Sequence, residues 1–182
     1  MDDFLLSRVA CTDEFDSACL TGYAPRDIQL ARCSGETLRS RRCAWLLLRQ
    51  LLAETGFDER SAGLRLLPCG KWTGDGVYVS LSHCKGYVAA AVSNRPVGID
   101  VERLDRRLAA GLYDRIATPD ERAVYGDCPD KAQMLTLWTA KEAVYKMSDG
   151  TVAAVNIDTT KHNLRFTVDD YTVSCVASCY RL

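Results

Sequence analysis

The sequence lacks the features that would place it in several functional classes. No apolar run approaches the ~20 residues needed to span a bilayer, and the opening "MDDFLLSRVA" has no basic n-region of a secretory signal. A formal net charge of −1 over 182 residues argues against a nucleic-acid binder driven by bulk positive charge. There is no Pro/Ser-rich linker, no low-complexity segment, and no G-x-x-x-x-G-K-[ST] phosphate loop. Histidine is scarce, only His83 and His162. The nine cysteines contain no C-x-x-C pair, so zinc spacing is missing, and an odd count argues against a disulfide framework. Small buried thiols in a reducing cytoplasm are the expectation. The chain is 47% hydrophobic and 26% charged, an ordinary globular balance that suits one substantial domain or two small lobes sharing a core.

Patterning places the elements. "SGETLRSRRCAWLLLRQLLAETG" reads as the first strong helix, with Ser34 as cap, Glu36 in its first turn and Gly56 at its end. Leu38, Cys43, Leu46, Leu47 and Leu51 recur at helical spacing on its buried face. Arg26, Arg32, Arg39, Arg41, Arg42 and Arg49 make a local positive surface. Residues 77–102 read as a three-stranded meander. Its first strand turns Val77, Val79 and Leu81 one way and Tyr78, Ser80 and Ser82 the other. Two helical pieces are expected over 115–147, the first with Thr118 as N-cap and Pro119 at its first position. A strand hairpin closes the chain, and it faintly echoes "GYVAAAVS" of the first half.

Two short stretches carry chemistry. In "PVGIDVE" side chains two apart share a face, so Gly98, Asp100 and Glu102 project together while Val97, Ile99 and Val101 pack on the other side. Paired carboxylates repel unless a cation sits between them, and with open water positions they suit Mg²⁺ bound together with substrate phosphates. Gly98 is read as leaving room for a ligand beside them. A solvated edge strand carrying two acids fits the spacing equally well. On "LWTAKEAVYKM", Trp138, Glu142 and Lys146 share a helical face, and by themselves Glu142 and Lys146 also fit a common surface ion pair.

"VGIDVE" followed some forty residues later by "WTAKEAVYK" resembles the two-part signature of the 4′-phosphopantetheinyl transferases, a G-[IV]-D core and a W-[ST]-x-K-E-[AS]-x-x-K core. "CGKW…VYVSLSHCKGY" is similar to that family's G-K-P segment and [FV]-x-[ILV]-S-H-[SC] strand end, and "IATPDE" to its F-S-x-x-E helix start. The resemblance implies an α+β fold of two similar α/β lobes related by pseudo-two-fold symmetry. Each lobe would have a small antiparallel sheet and a packed helix, residues 1–95 forming the nucleotide side and 96–182 the metal and catalytic side. The active site would lie in the cleft between them.

It further implies transfer of phosphopantetheine from coenzyme A to a serine of an apo acyl or peptidyl carrier protein, in a cytoplasmic monomer that engages neither nucleic acid nor membrane. The implied metal ligands for Mg²⁺ are Asp100, Glu102 and Glu142. Glu142 and Lys146 are the implied catalytic pair, and Ser82, His83 and Lys71 hold coenzyme A, with Arg39 or Arg41 on its 3′-phosphate. Lys141 is assigned only a supporting role, and His162 an exposed one. Two departures stand out: Trp72 replaces the proline after Lys71, and Ser40 occupies the position where the family has an arginine, flanked by Arg39 and Arg41. A relative that binds coenzyme A or a carrier without turnover is the main competing expectation.

Overall fold

A computed structural model describes residues 3–17, 33–58, 62–68, 70–148, 150–170 and 172–179. Arg26, Arg32, Cys19 and Cys69 lie outside the described residues.

Alternating side chains decide the central layers. Strand β4 (Tyr78–Cys84) and strand β5 (Tyr87–Ser93) pair antiparallel across a tight Lys85–Gly86 turn, where Gly86 takes a φ of 81°. Val79, Leu81, Val88, Ala90 and Val92 share one face and pack beneath helix α1 (Gly35–Glu54). Cys43, Leu47 and Leu51 of the expected helical stripe are buried there with Leu48 and Leu52, while Leu38 and Leu46 are only partly covered. Ser34 is the N-cap residue and Gly56 follows the C-terminus in a left-handed conformation, as the pattern predicts. Strand β1 (Leu5–Cys11) and the two-residue strands β2 (Arg65–Leu66) and β3 (Trp72–Thr73) complete a five-stranded antiparallel sheet, ordered β1-β5-β4-β3-β2.

The opposite face of that sheet is lined by small residues, Ser80, Ser82, Ala89 and Ala91. Against it lies strand β6 (Val97–Arg103), whose Val97, Ile99 and Val101 fill the seam. The expected meander is thus corrected at its third member. β6 leaves the first sheet and pairs with β8 (Thr172–Ser178), giving a separate antiparallel sheet ordered β6-β8-β7, with β7 spanning Asn163–Val168. β6 is buried on both faces, and its inner edge is satisfied by serine side chains. The Ser80 hydroxyl accepts from the Ile99 N–H at 3.0 Å, and that of Ser82 accepts from the Val101 N–H at 3.4 Å. An apolar strand without those hydroxyls would bury unpaired amides there. The solvated edge strand is therefore excluded.

Three helices follow β6. Helix α2 (Leu112–Ile116) is short. Helix α3 (Pro119–Tyr125) starts in a capping box between Thr118 and Glu121, and helix α4 (Lys131–Met147) in one between Asp130 and Gln133. α4 packs on the outer face of the second sheet through Ala140, Ala143 and Val144 against Cys175 and Ala177. The order of layers is helix, sheet, sheet, helix, with two small antiparallel sheets at the centre. Among the described residues no helix is long and apolar enough to cross a membrane, and seven cysteines are free thiols.

Candidate active site

Asp100 and Glu102 project from the outer face of β6 toward α4, and both are buried. Gly98 shares that face, but its missing side chain makes room for the helix and not for a ligand. A Cβ built there would lie 1.9 Å from the carbonyl oxygen of Ala143 and 2.6 Å from the Met147 nitrogen. That close approach brings the C-terminal turns of α4 down onto the carboxylates.

Lys146 bonds the two sheets and not Glu142, its neighbour on the helix. Its ammonium reaches across to Asp100 Oδ1 at 2.7 Å, Ser82 Oγ at 3.0 Å and the Ile99 carbonyl at 3.1 Å. The Ser82 hydroxyl donates to the same Asp100 oxygen at 2.7 Å. Residues from three elements, β4, β6 and α4, therefore meet at one carboxylate. The other oxygen, Asp100 Oδ2, is buried without a hydrogen-bond partner, which is costly for a carboxylate unless a cation completes it.

Glu142 is half-buried, and its carboxyl is pushed above the ordinary value by desolvation and then by the negative charge of Asp100, against the pull of Lys146 and Arg106. A carboxylate whose proton affinity is raised by a neighbouring acid marks a place where a divalent cation is favoured. Glu102 is held differently. Its Oε1 accepts from Trp138 Nε1 at 3.2 Å and is paired with Arg106, whose guanidinium lies 5.5 Å from the Trp138 ring centroid. Among the described residues no group of three Asp, Glu, His or Cys side chains is arranged ready for a metal, and cationic side chains engage both Asp100 and Glu102. The donor set nevertheless fits a hard, oxygen-loving cation, with the unpartnered Asp100 Oδ2 as its most direct acceptor.

The remaining expected residues divide. Lys71 donates to the Met147 carbonyl at 3.4 Å, and with Trp72, Ser80, Leu81, Tyr145 and Lys146 it lines a cavity of about 210 Å³ beside the carboxylates. Trp72 meets Trp45 edge-on, with ring centroids 4.8 Å apart at 87°, so the residue replacing the family's proline anchors the loop to the core. His83 is exposed as a residue, yet its ring is crowded. Desolvation first, then Arg41 and Lys146, lower its pKa, opposed by Asp100. Arg41 thus lies on the His83 side, whereas Arg39 bonds the Thr12 carbonyl at 3.0 Å and Asp13 at 3.4 Å. His162 is half-buried, contrary to the expectation that it is simply exposed. A larger hollow of about 390 Å³ between β1 and the second sheet contains none of the expected site residues.

A lowered imidazole pKa has a measurable sign. Below about 6.5 the unfolded chain protonates His83 while the folded one does not, so stability contributed by the neutral ring is present above that pH and is lost as pH falls toward the folded value. A ¹H–¹³C titration of the His83 ring is expected to show its midpoint below 6.5, the ordinary value. A midpoint at or above that value would remove the desolvated, cation-flanked setting of the ring from the description.

The residues that patterning missed are Arg106, Tyr145 and Glu121. Arg106 sits in a non-helical loop, where nothing in the sequence pairs it with Glu102. Tyr145 needed the cavity to be seen, and Glu121 needed its distant partner.

Residues 96–174 match the family model of the 4′-phosphopantetheinyl transferase superfamily. That match includes Asp100, Glu102, Glu142 and Lys146, and leaves Lys71, Ser82, His83, Arg39 and Arg41 outside it. The chain is 40% identical over 76 residues to enterobactin synthase component D of Escherichia coli O157:H7, covering 40% of this chain and 37% of that one. It is 38% identical over 116 residues to the 4′-phosphopantetheinyl transferase Npt of Nocardia iowensis, covering 59% and 48%. Over 88 residues it is 42% identical to the 4′-phosphopantetheinyl transferase PptT of Mycobacterium tuberculosis, covering 43% and 36%. In each case the matching stretch spans less than half of the relative's length.

Proposed function

We propose that this chain, whose residues 96–174 match the 4′-phosphopantetheinyl transferase superfamily, moves the phosphopantetheine arm of coenzyme A onto a serine of an apo acyl or peptidyl carrier protein. One observation carries the reading. The two halves of the motif meet in space, Lys146 of α4 bonding Asp100 of β6 at 2.7 Å, with Ser82 of β4 on the same oxygen.

Asp100, Glu102 and Glu142 would hold Mg²⁺, which when bound neutralises charge on the pyrophosphate. Lys71, Ser82 and His83 orient the phosphates of coenzyme A, with Arg41 on its 3′-phosphate and Arg39 in a supporting contact. The carrier serine oxygen forms a bond to the phosphorus bearing pantetheine, and the bond from that phosphorus to the bridging oxygen breaks, releasing adenosine 3′,5′-bisphosphate. Glu142, half-buried beside Asp100, takes the serine proton. Lys146 stabilises charge on the departing phosphate. Two lobes, 1–95 and 96–182, each contributing one sheet and one helix, would hold one complete site in a cytoplasmic monomer. Arg103 at the end of β6, Arg106 and Arg107 in the loop after it and Arg115 in α2 face the carrier in this reading.

Mass analysis of a panel of apo-carrier proteins after incubation with coenzyme A and Mg²⁺ is the test. A phosphopantetheine mass gain on at least one carrier is expected. Coenzyme A binding without any gain would favour the non-catalytic relative instead.

The Arg106 contact gives a separate expectation. Arg106→Gln frees Glu102 from a competing cation, so Mn²⁺ affinity, read by electron paramagnetic resonance in the presence of coenzyme A, should rise about 2- to 5-fold, the range of a partly exposed ion pair worth roughly 0.5–1 kcal/mol. Unchanged or weaker Mn²⁺ binding would remove Glu102 from the ligand set or Arg106 from competition for it.

A further inference from the structure

Lys141 and Glu121 are fully buried, and neither touches the site just described. Their side chains pair at 2.8 Å, and the Lys141 ammonium also donates to the Ile157 carbonyl. Glu121 is saturated around that pair. Its Oε1 accepts from the Thr159 N–H at 2.8 Å and the Thr159 hydroxyl at 2.7 Å, and its Oε2 accepts from the Thr118 N–H at 2.9 Å. Lys141, the Thr118–Glu121 start of α3 and the short helical turn at Thr159–Lys161 are thereby tied at one point. Burial raises the Glu121 pKa, but the bonds from Lys141, Thr118 and Thr159 outweigh it, and the carboxyl stays below its ordinary value.

A buried ion pair is weak evidence for stability, because desolvation offsets the attraction. What it supplies is direction. Where α4 meets the second sheet most closely the seam is made of Gly98, Ala140, Ala143, Cys175 and Ala177, small residues that let the backbones approach, with Val144, Met147, Ile157 and Leu164 packed beside them. The buried pair adds a fixed polar anchor on another side of the helix. At about 100° per residue, Glu142 and Lys146 lie roughly 100° and 140° around the helix from Lys141. Fixing Lys141 on one side of α4 therefore fixes where Glu142 and Lys146 point on another.

We infer that the Lys141–Glu121 pair is a positioning device that sets the rotation of α4 and so holds Glu142 and Lys146 at the Asp100 carboxylate. The consequence for rate rests on the transferase reading, while the consequence for geometry does not.

Lys141→Met alone leaves a buried carboxylate unpaired and is expected to unfold readily. The deciding variant is therefore Lys141→Met with Glu121→Gln, which removes both charges and retains an amide oxygen for Thr159. Its fold is checked by circular dichroism. In the wild-type protein, nuclear Overhauser contacts between the Lys146 Hε protons and the Ser82 Hβ protons are expected from the 3.0 Å bond. In the double variant they should disappear while contacts within the first sheet persist. With a carrier that the wild type modifies, kcat should fall at least 10-fold, with KM for coenzyme A within 2-fold. Retained Lys146–Ser82 contacts, or an unchanged kcat in the folded double variant, overturn the inference. If the wild type modifies no carrier, the transferase reading fails and the Overhauser contacts alone decide the positioning role.

Discussion

Asp100→Asn is expected to lower kcat by about 10³-fold or more, the scale seen when a preorganised charge is removed from a reacting centre. The carboxylate performs two tasks that an amide cannot share. Oδ1 accepts simultaneously from Ser82 and Lys146, and an NH₂ in that place would face two donors. If the amide turns its oxygen to Lys146 instead, the NH₂ takes the position of Oδ2, the unpartnered buried atom, and presents a donor where a cation needs an acceptor. Either orientation disables one half of the site. The fold should survive, because the layers are held by apolar contacts on the opposite face of β6. Stopped-time mass analysis of a carrier that the wild type modifies reads the rate, and Mn²⁺ binding reads the metal. A variant with near-normal rate and Mn²⁺ affinity would sink the assignment of Asp100. Normal Mn²⁺ affinity with a lost rate would confine its role to orienting Lys146.

The sequence made the elements legible and left their assembly largely hidden. Helix α1, the β4–β5 hairpin, both capping-box helices and the closing hairpin follow from periodicity, caps and turn residues. Periodicity reports which face is buried but not against what, so β6 read as the third strand of one sheet when its burial on both faces comes from two sheets meeting. Ser80 and Ser82 read as the polar side of a half-exposed strand. They are the small, hydroxyl-bearing lining of that seam, a role set by the neighbouring β6 amides. The motif acids were visible as residue types, and their grouping with Lys146 and Ser82 required a contact spanning 64 residues. Lys141 was adjacent to the motif and carried no signal of its partner, since nothing in the pattern pairs it with Glu121 of the preceding helix.

Gly98→Ala is expected to be among the most damaging single-methyl additions in the chain. The contacts facing the new Cβ, the Ala143 carbonyl oxygen at 1.9 Å and the Met147 nitrogen at 2.6 Å, are backbone atoms of α4. No rotamer change relieves them, so the helix must withdraw until the shorter distance approaches the 3.4 Å of ordinary contact, a shift of about 1.5 Å by difference. Overpacking of this kind costs about 3 kcal/mol, enough to lower the melting midpoint by roughly 6–12 °C in a domain of this size. The rate should suffer independently of stability. Ala143 and Met147 immediately adjoin Glu142 and Lys146, so withdrawing those two backbone positions carries the motif side chains away from Asp100. A misplacement of about 1 Å can cost on the order of 100-fold in rate. Calorimetry at pH 7 gives the first quantity, and transfer measured at 15 °C, where the variant is still folded, gives the second. If the deficit vanished at low temperature, the close approach would matter for stability alone. A deficit that persists in the fully folded variant means that the glycine serves catalysis by bringing the helix backbone to the strand.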